Sequence, residues 1–382
     1  MKRTILLLTL VAAIWSCKDQ DEPIPSIVTQ KEVLAQYGKL VYANYDDAVV
    51  TAEALKQAIN NFITSPSQTS LQTAKDAWVA SRNPYGQAEA FRFYGGPIDN
   101  EEGPEGLING WPLDESYIDY VAGNPNAGMI NDATGFPTID KQTLIGANEN
   151  GGETNLSTGY HAIEFLLWGQ DFNDDGPGNR PFTDYTSGTN ADRRSLYLQV
   201  VTNLLIENLI EVRDAWGLNA SFRISFVDGG QNSIANALRG IAALSKGELA
   251  GERMTVALQN GDQEDEHSCF SDNTKADIGM NFKGIENVYN GIYISSTGIV
   301  TSGSSIANLV SAVNPSKNTT VLELLSQCST NIAGIPAPFD VALRAGDPNK
   351  SIENSIITLR NLSDAIVDAG LALGIQVNAE LD

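Results

Sequence analysis

An unbroken helical periodicity near the amino terminus is the feature that most constrains the fold. Between residues 34 and 62 the apolar side chains recur every three or four positions, at Leu34, Tyr37, Val41, Tyr45, Ala48, Ala52, Leu55, Ile59 and Phe62. This spacing is that of one face of a long amphipathic α-helix. Such a helix cannot bury its apolar stripe alone, so the sequence predicts other helices packed against it.

The same periodicity recurs along the chain. Ser65 and Pro66 end the first helix, and a second is predicted where Leu71, Ala74 and Trp78 share a face. Further helical runs cover residues 198–216, 278–292 and 352–366. No run of alternating β-branched residues bounded by hairpin turns is evident, so no strand is expected. The prediction is an all-α fold: two helical bundles packed with a cleft between them and long irregular loops.

Three irregular segments divide the helical runs, at residues 93–156, 169–190 and 260–276. Compact domains rarely carry such long loops without a use, so functional residues are expected there. A chain of 382 residues favours two domains. We place the boundary near the end of the second loop, giving an N-terminal bundle over 30–185 and a C-terminal bundle over 186–382.

The amino terminus has the pattern of a targeting segment. Residues 1–16 have a short basic start and a compact apolar stretch, as in a signal peptide. The following Cys17 completes a sequence that resembles a bacterial lipobox, which predicts lipidation of this cysteine; an ordinary secretory signal is the alternative. Residues 17–29 then read as a tether to the membrane. The expected location is the cell envelope, as an outer-membrane lipoprotein facing the periplasm or the cell surface.

Charge and cysteine content limit the partners. The formal net charge is −23, which repels the nucleic acid backbone and excludes nucleic acid as an expected partner. A disulfide between Cys269 and Cys328 and two buried thiols are equally open alternatives. These two sulfurs alone do not make a thiolate zinc site.

The chain has only two histidines, and both lie beside carboxylates. His161 and Glu164 are three apart in an apolar helical run, so both can face one point and bind a divalent or ferric ion. His267 lies among acids that include Glu264 and Asp272. A shared metal site between the bundles is the sharper hypothesis. The alternatives are a histidine that caps or bridges in the core, with Glu164 paired to an arginine, and a solvated acidic loop around His267.

Four blocks in the sequence resemble the imelysin family. Residues 158–169, "TGYHAIEFLLWG", are similar to its GxHxxE signature, and 247–274 are similar to its second block. Residues 77–99 and 111–114 are similar to its amino-terminal block. The resemblance implies two helical bundles with the motif residues at the cleft, and an envelope location linked to iron uptake. It also implies a peptidase label, because the family takes its name from an insulin-cleaving metallopeptidase.

Lys275 departs from the family pattern, since a histidine often follows "SDNT" in relatives. If that position supplies a metal ligand elsewhere, this chain lacks it. Five charged residues of the matching blocks are cleft candidates, namely Arg82, Glu89, Arg253, Glu264 and Asp272. The alternative for the first three is a structural ion pair.

The functional expectation is a protein that binds a metal ion, with iron favoured and zinc as the other choice, or a metal-bearing small ligand. His161, Glu164 and His267 are the expected ligands, and an outer-membrane uptake partner is expected. A zinc-type metallopeptidase using the same residues is the first alternative. A binding module without metal is the second.

Overall fold

The computed structural model describes residues 28–173 and 176–381. The signal peptide predicted for 1–16, the lipidation site Cys17 and all but the last two residues of the tether predicted for 17–29 lie outside the described residues. Within the described part the regular secondary structure is helical apart from one small hairpin, which confirms the all-α fold class. None of the described helices is long and apolar enough to cross a membrane.

Sixteen α-helices, one π-helical segment and two strands make up the described chain. The helices of the first half are α1 (Gln30–Thr64), α2 (Gln68–Ala88), α3 (Glu105–Asn109), α4 (Glu115–Ile118), α5 (Gly128–Asn131), α6 (Lys141–Ala147), α7 (Gly159–Trp168) and α8 (Ala191–Ala215). The second half contains α9 (Ser221–Asp228), α10 (Gln231–Ala243), the π-helical segment Leu244–Thr255, α11 (Val256–Asn260), α12 (Thr274–Asn290), β1 (Ile292–Ile294), β2 (Val300–Ser302), α13 (Ile306–Val313), α14 (Pro315–Gly334), α15 (Phe339–Ala345) and α16 (Ser351–Ala372). Short 3₁₀ turns occupy Glu89–Phe91, Phe182–Tyr185 and Gln263–Asp265.

Helix α1 confirms the periodicity at residues 34 to 62, because all nine apolar positions are buried. A capping box at Thr29 and Glu32 starts the helix by satisfying backbone N–H groups of its first turn. Helix α2 begins in the same way at Ser67, whose side chain accepts a hydrogen bond from the backbone N–H of Ser70. The three remaining periodic runs correspond to α8, α12 and α16.

The helices pack in two groups that share one continuous apolar core. In the first group α1 packs against α2 and α8, and α7 packs on α8. In the second group α16 packs against α14, α10 and the π-helical segment. Helix α12 contacts α2 on one side and α14 on the other, so it joins the groups. Helix α8 follows residue 185 yet belongs to the first group; the division into 30–185 and 186–382 stays a prediction.

The hairpin of β1 and β2 was not expected from the sequence. Ile292 closes the periodic run of α12, but Gly291 adopts a left-handed φ of 69° that ends the helix first. The chain then pairs Ile292 with Ser302 in an antiparallel ribbon of three residues per strand. Strands this short carry too little alternation to be recognised. The Tyr293 hydroxyl donates to Oδ2 of Asp47 at 2.7 Å, which attaches the hairpin to α1.

The two cysteines of the folded part are buried free thiols. Cys269 lies in the loop before α12, and Cys328 lies in α14. Burial raises the pKa of the Cys328 thiol to about 11, which keeps it protonated and unreactive near neutral pH. Of the two alternatives left open by the sequence, the structure therefore has buried thiols.

Two glycines allow α2 and α12 to approach closely. A Cβ added to Gly284 of α12 would lie 2.3 Å from the carbonyl oxygen of Gln87, and one added to Gly86 of α2 would lie 2.8 Å from Cβ of Met280. Contacts this short cannot be accommodated without moving a helix. The absence of a side chain at both positions therefore sets the distance between the two helices.

We expect Gly284→Ala to lower the free energy of unfolding by about 2 kcal/mol, because the new methyl group forces α12 away from the backbone of α2. Gly279→Ala on the same helix is the matched control, since no atom lies within 4 Å of its added Cβ. This control should stabilise the protein by up to about 1 kcal/mol through helix propensity. Urea unfolding of both variants measures the difference. Equal effects would contradict the close packing.

Candidate functional site

The motif helix α7 lies in the middle of the protein, with all ten of its residues buried. Gly159 begins it with a φ of 86°, and a Cβ there would lie 2.6 Å from the carbonyl oxygen of Ile108. Gly169 ends it with a φ of 73°. At residue 159 only glycine allows both the positive φ and the close contact with the Ile108 backbone, which explains why the GxHxxE motif begins with glycine.

His161 and Glu164 contact each other one turn apart on α7. Nδ1 of His161 lies 2.9 Å from Oε2 of Glu164. The other carboxylate oxygen accepts hydrogen bonds from the backbone N–H and the hydroxyl of Ser271, at 3.0 and 2.6 Å. Burial raises the pKa of Glu164 to about 8, although these bonds from Ser271 oppose the shift. Glu164 thus orients the imidazole and ties α7 to the loop before α12.

The remaining ring nitrogen of His161 has no partner. Its Nε2 is buried and makes no hydrogen bond within the described part of the chain. Burial, together with the charges of His267 and Arg82, holds the pKa of His161 well below its usual range. The ring is therefore neutral near pH 7. When Glu164 is ionised and Nδ1 donates its hydrogen to it, the lone pair of Nε2 is left free for a ligand.

His267 is held in the same manner from the opposite group of helices. Its Nδ1 lies 3.0 Å from Oδ2 of Asp277 in α12, and its Nε2 lies 3.5 Å from the amide nitrogen of Asn109. Burial and the charge of Arg253 lower the pKa of His267, although Asp277 opposes the shift. The second histidine is thus also neutral and oriented through Nδ1.

The structure brings the two histidines together. Their ring centroids are 4.7 Å apart with an angle of 76° between the planes, and each side chain is only 1% exposed. The carboxylates of Glu164 and Asp277 each hold an Nδ1. In metal sites a carboxylate commonly accepts the N–H hydrogen of a histidine ligand, which fixes the ring and increases its basicity. The pair is therefore pre-organised for a ligand that binds imidazole.

Asp277 was not predicted from the sequence, although it makes the most contacts at the site. Its carboxylate accepts a hydrogen bond from Nε of Arg82 at 3.2 Å and lies 3.2 Å from Nη2 of the same guanidinium. Ser268 and Asn273 also donate to it. Burial alone would raise the pKa of Asp277, but Arg82 and His267 outweigh it and hold this pKa far below its usual range. The residue is therefore a permanent carboxylate.

Arg82 and Glu89, both predicted for the cleft, are joined through Asn109. Nη1 of Arg82 donates to the side-chain Oδ1 of Asn109 at 2.5 Å, and Nδ2 of Asn109 donates to Oε1 of Glu89 at 2.8 Å. Glu89 pairs in turn with Arg253 at 2.6 Å. The structural ion pairing considered for these residues is therefore present, and their cleft location stays a prediction. Asn109 was missed, since a lone asparagine in a Gly-rich segment carries no signal.

The π-helical segment positions Arg253. Its Nε and Nη2 lie 3.1 and 2.9 Å from Oε1 of Glu248, five residues earlier. Residues five apart share a face in a π-helix, whereas an α-helix would separate them. Arg253 also donates to Asn281 of α12. The unusual helix thus presents one guanidinium to acids from two directions.

Glu264, Asp272 and Lys275 do not join the histidine pair. Glu264 lies in the 3₁₀ turn Gln263–Asp265, where partial burial and other acids, first Glu115, raise its pKa to about 7. Asp272 adopts a left-handed φ of 58° and is grouped with other carboxylates. The Lys275 ammonium lies 3.5 Å from the Ala333 carbonyl oxygen in α14. Proximity to His267 in the sequence therefore does not bring Glu264 or Asp272 into hydrogen bonding with either histidine of the described structure.

A pocket of about 440 Å³ reaches the site from solvent, and His267 and Arg253 are part of its wall. Trp111 also lines it, with its ring 5.7 Å from that of His267. Five glutamates lie around the pocket: Glu105, Glu149, Glu153, Glu248 and Glu252. An acid-lined opening raises the local concentration of cations. Among the described residues, however, no three His, Cys, Asp or Glu side chains are arranged to hold a metal ion by themselves.

Comparison with known proteins places the chain in a family. The sequence profile of the imelysin family, classed as peptidase M75, matches residues 41–366. The chain belongs to the imelysin family. The resemblance based on the GxHxxE signature and its companion blocks is therefore confirmed.

One imelysin relative is iron-regulated protein A of Synechococcus elongatus. It is 23% identical over 291 residues, which cover 74% of this chain and 69% of the relative. A solved structure from Parabacteroides distasonis, assigned as an iron-regulated protein A precursor, matches with a TM-score of 0.72 at 20% identity. The match covers 92% of this chain and 97% of that one. It shows that the helical architecture is shared.

We expect Asp277→Asn to lower the free energy of unfolding at pH 7 by about 3–5 kcal/mol, because the Arg82 guanidinium would stay buried without a carboxylate. A carboxyl whose pKa is depressed in the folded state contributes stability above its unfolded pKa and loses it as the pH falls. The difference between wild type and variant should therefore shrink as the pH falls below about 4. Denaturant titrations from pH 7 to pH 3 measure it.

Asp76→Asn, an exposed acid on α2, is the matched control and should change stability by less than about 0.5 kcal/mol at any of these pH values. A loss at Asp277 that is equally small, or one that does not vary with pH, would contradict the assigned ion pair.

Proposed function

We propose that this imelysin-family protein is an iron-linked binding protein of the cell envelope. In this proposal His161 and His267 bind a metal ion, or a metal-bearing small ligand, at the inner end of the acid-lined pocket. The observation that carries the proposal is the buried, unpartnered Nε2 of His161 beside a second imidazole with the same carboxylate support. A buried polar atom without a partner is costly, so its retention favours a ligand.

The donor set supports a borderline metal rather than a hard one. Two neutral imidazoles suit iron, zinc, copper and nickel, whereas calcium and magnesium prefer oxygen ligands. Glu164 and Asp277 are engaged with Nδ1 of the histidines, so we assign both as supports of the ligands. The remaining coordination positions would then be filled by donors of the ligand or by water. This division favours a metal-bearing small molecule, or a hydrated ion, over a fully protein-enclosed metal.

Iron is the favoured metal because two relatives are named for regulation by iron. The protein from Synechococcus elongatus carries the name iron-regulated protein A, and so does the assigned precursor from Parabacteroides distasonis. Regulation by iron fits a protein that handles iron as cargo during uptake. In that role the metal is what the protein binds and releases, and an outer-membrane uptake partner would receive or deliver it.

The metallopeptidase alternative uses the same residues, and the geometry favours it less. A general base needs a carboxylate free to take a proton near the reacting water. Glu164 and Asp277 are committed to the histidines, and Glu89 to Arg253 and Asn109. Binding is therefore the better-supported role.

The location remains part of the proposal. Lipidation of Cys17 and display on the outer membrane rest on the sequence alone. They agree with an acidic protein whose described helices do not include one able to cross a bilayer. In this account the lipid is the sole membrane attachment, and the pocket faces the solvent.

We expect the purified protein to bind about one iron per chain when loaded with ferrous iron under anaerobic conditions. His161→Ala and His267→Ala should each abolish stoichiometric binding, because each removes one imidazole donor. Glu164→Gln should bind about 10–100-fold more weakly without losing the site, since it alters only the support of His161. Isothermal titration and elemental analysis measure both quantities. Glu252→Gln, an exposed acid at the pocket, is the matched control and should bind nearly as the wild type does.

Unchanged binding in both histidine variants would contradict the proposed site. Cleavage of unstructured peptides by the metal-loaded protein, lost on chelation and in His161→Ala, would instead select the metallopeptidase. If the protein takes up neither iron nor zinc, the remaining interpretation is a binding module that uses no metal.

A further inference from the structure

A second group of carboxylates lies close to the histidine loop and takes no part in the histidine site. It consists of Asp171 after α7, Glu266 and Asp272 in the loop before α12, and Asp340 in α15. The residues come from three separate segments of the chain. Long-range folding has therefore gathered acids that the sequence keeps apart.

The group contains buried carboxylate oxygens without partners. Glu266 is 1% exposed, and neither of its oxygens has a hydrogen-bonded partner within the described part of the chain. The Thr274 hydroxyl is near enough to lower the Glu266 pKa but lies outside hydrogen-bonding geometry. Asp340 is 2% exposed, and its Oδ1 has no hydrogen-bonded partner among the described residues. The buried Oδ2 of Asp272 has none there either. A buried carboxylate needs a cation, a donor or a proton.

Hydrogen bonds connect the segments that carry these acids. Nε2 of Gln263 donates to the backbone carbonyl oxygen of Asp171 at 2.8 Å, and Nη1 of Arg344 donates to the side-chain Oε1 of Gln263 at 2.5 Å. Arg344 also pairs with Asp340. The chain of contacts places Asp171 and Asp340 on either side of one glutamine. The charge of Arg344 also opposes the raised pKa of Asp171, Glu266 and Asp272, so all four carboxyl groups lie in the neighbourhood of one guanidinium.

Electrostatic coupling agrees with this placement. Burial, together with the carboxylates of Asp340 and Asp171, raises the pKa of Asp272 to about 7. Asp272 also adopts a left-handed backbone conformation, which a non-glycine residue rarely takes and which is concentrated at functional positions. The loop therefore bears a conformational cost and charge repulsion at the same residue.

We propose that Glu266, Asp272 and Asp340, with Asp171 beside them, bind a hard divalent cation of the calcium type. Carboxylate oxygens are the donors that calcium prefers, and both oxygens of Glu266 are available for bidentate binding. As they stand the side chains do not enclose an ion, which is expected of like charges that stay apart until a cation neutralises them.

The site would fix the loop that holds the histidine centre. Glu266 directly precedes His267, and Asp272 directly follows Ser271, which donates to Glu164. A cation bound at these two acids would restrain both ends of the segment between them. The inference does not rest on iron binding, because it involves oxygen donors and no histidine.

The test uses the full-length protein, treated with chelator, dialysed and titrated with calcium chloride up to about 1 mM, the range of weak extracellular sites. Equilibrium dialysis with radioactive calcium should show saturation at about one ion per chain, and the Tm should rise with calcium concentration. Glu266→Gln and Asp272→Asn should each lose both effects. In calcium-free buffer Asp272→Asn should unfold at a Tm no lower than the wild type, since it removes repulsion and asparagine tolerates the left-handed conformation.

Two controls separate this site from the histidine site. Glu252→Gln and His161→Ala should both retain calcium uptake and the rise in Tm. Absence of uptake by the wild type, or uptake undiminished in both acid variants, would overturn the inference. Loss of calcium in His161→Ala would also overturn it, because the ion would then occupy the histidine centre.

Discussion

The buried ion pair between Arg82 and Asp277 is the interaction on which the rest of the site depends. Each side chain is only 1% exposed, so neither charge can be satisfied by bulk water. Asp277 also holds His267, and Arg82 also holds Asn109. Since removing either charge leaves the other buried and unpaired, α2, α12 and the histidine loop fix one another's positions. The close approach at Gly284 makes this pairing sterically feasible.

Around that pair, the two histidines are held in the same way, each by a carboxyl group from a different helix. Glu164 orients His161 from within α7, and Asp277 orients His267 from α12. Both rings are neutral because burial disfavours their charged forms. The site therefore presents two oriented imidazoles whose supporting carboxylates are already engaged. The ordering of these groups occurs on folding, so a ligand need not supply it.

Much of the fold and part of the site could be predicted from the sequence. The α1 stripe was predictable because a period of three to four over so long a run has one structural interpretation. His161, His267, Arg82, Glu89 and Arg253 were all assigned to the cleft, and the structure joins them in one buried network. Asp277 could not be found in this way, because its role comes from the packing of α12 on α2 and not from any local pattern.

The failures have physical causes as well. Glu264 and Asp272 were grouped with His267 by proximity in sequence, but a 3₁₀ turn and a left-handed residue direct them elsewhere. The pairing of Glu248 with Arg253 depends on π-helical geometry, which a period of 3.6 residues does not anticipate. Strands β1 and β2 are too short for an alternating pattern of apolar and polar residues to be recognised. In each case backbone geometry decides the outcome over one or two residues.

The central claim is that both imidazoles bind the same metal through Nε2. An anomalous difference map at the iron edge, from crystals of the iron-loaded protein, tests it most directly. The account predicts one strong peak about 2.0–2.2 Å from Nε2 of both His161 and His267, the usual distance for metal–imidazole bonds. A strong peak elsewhere in the molecule, with both Nε2 atoms free of metal, would contradict it.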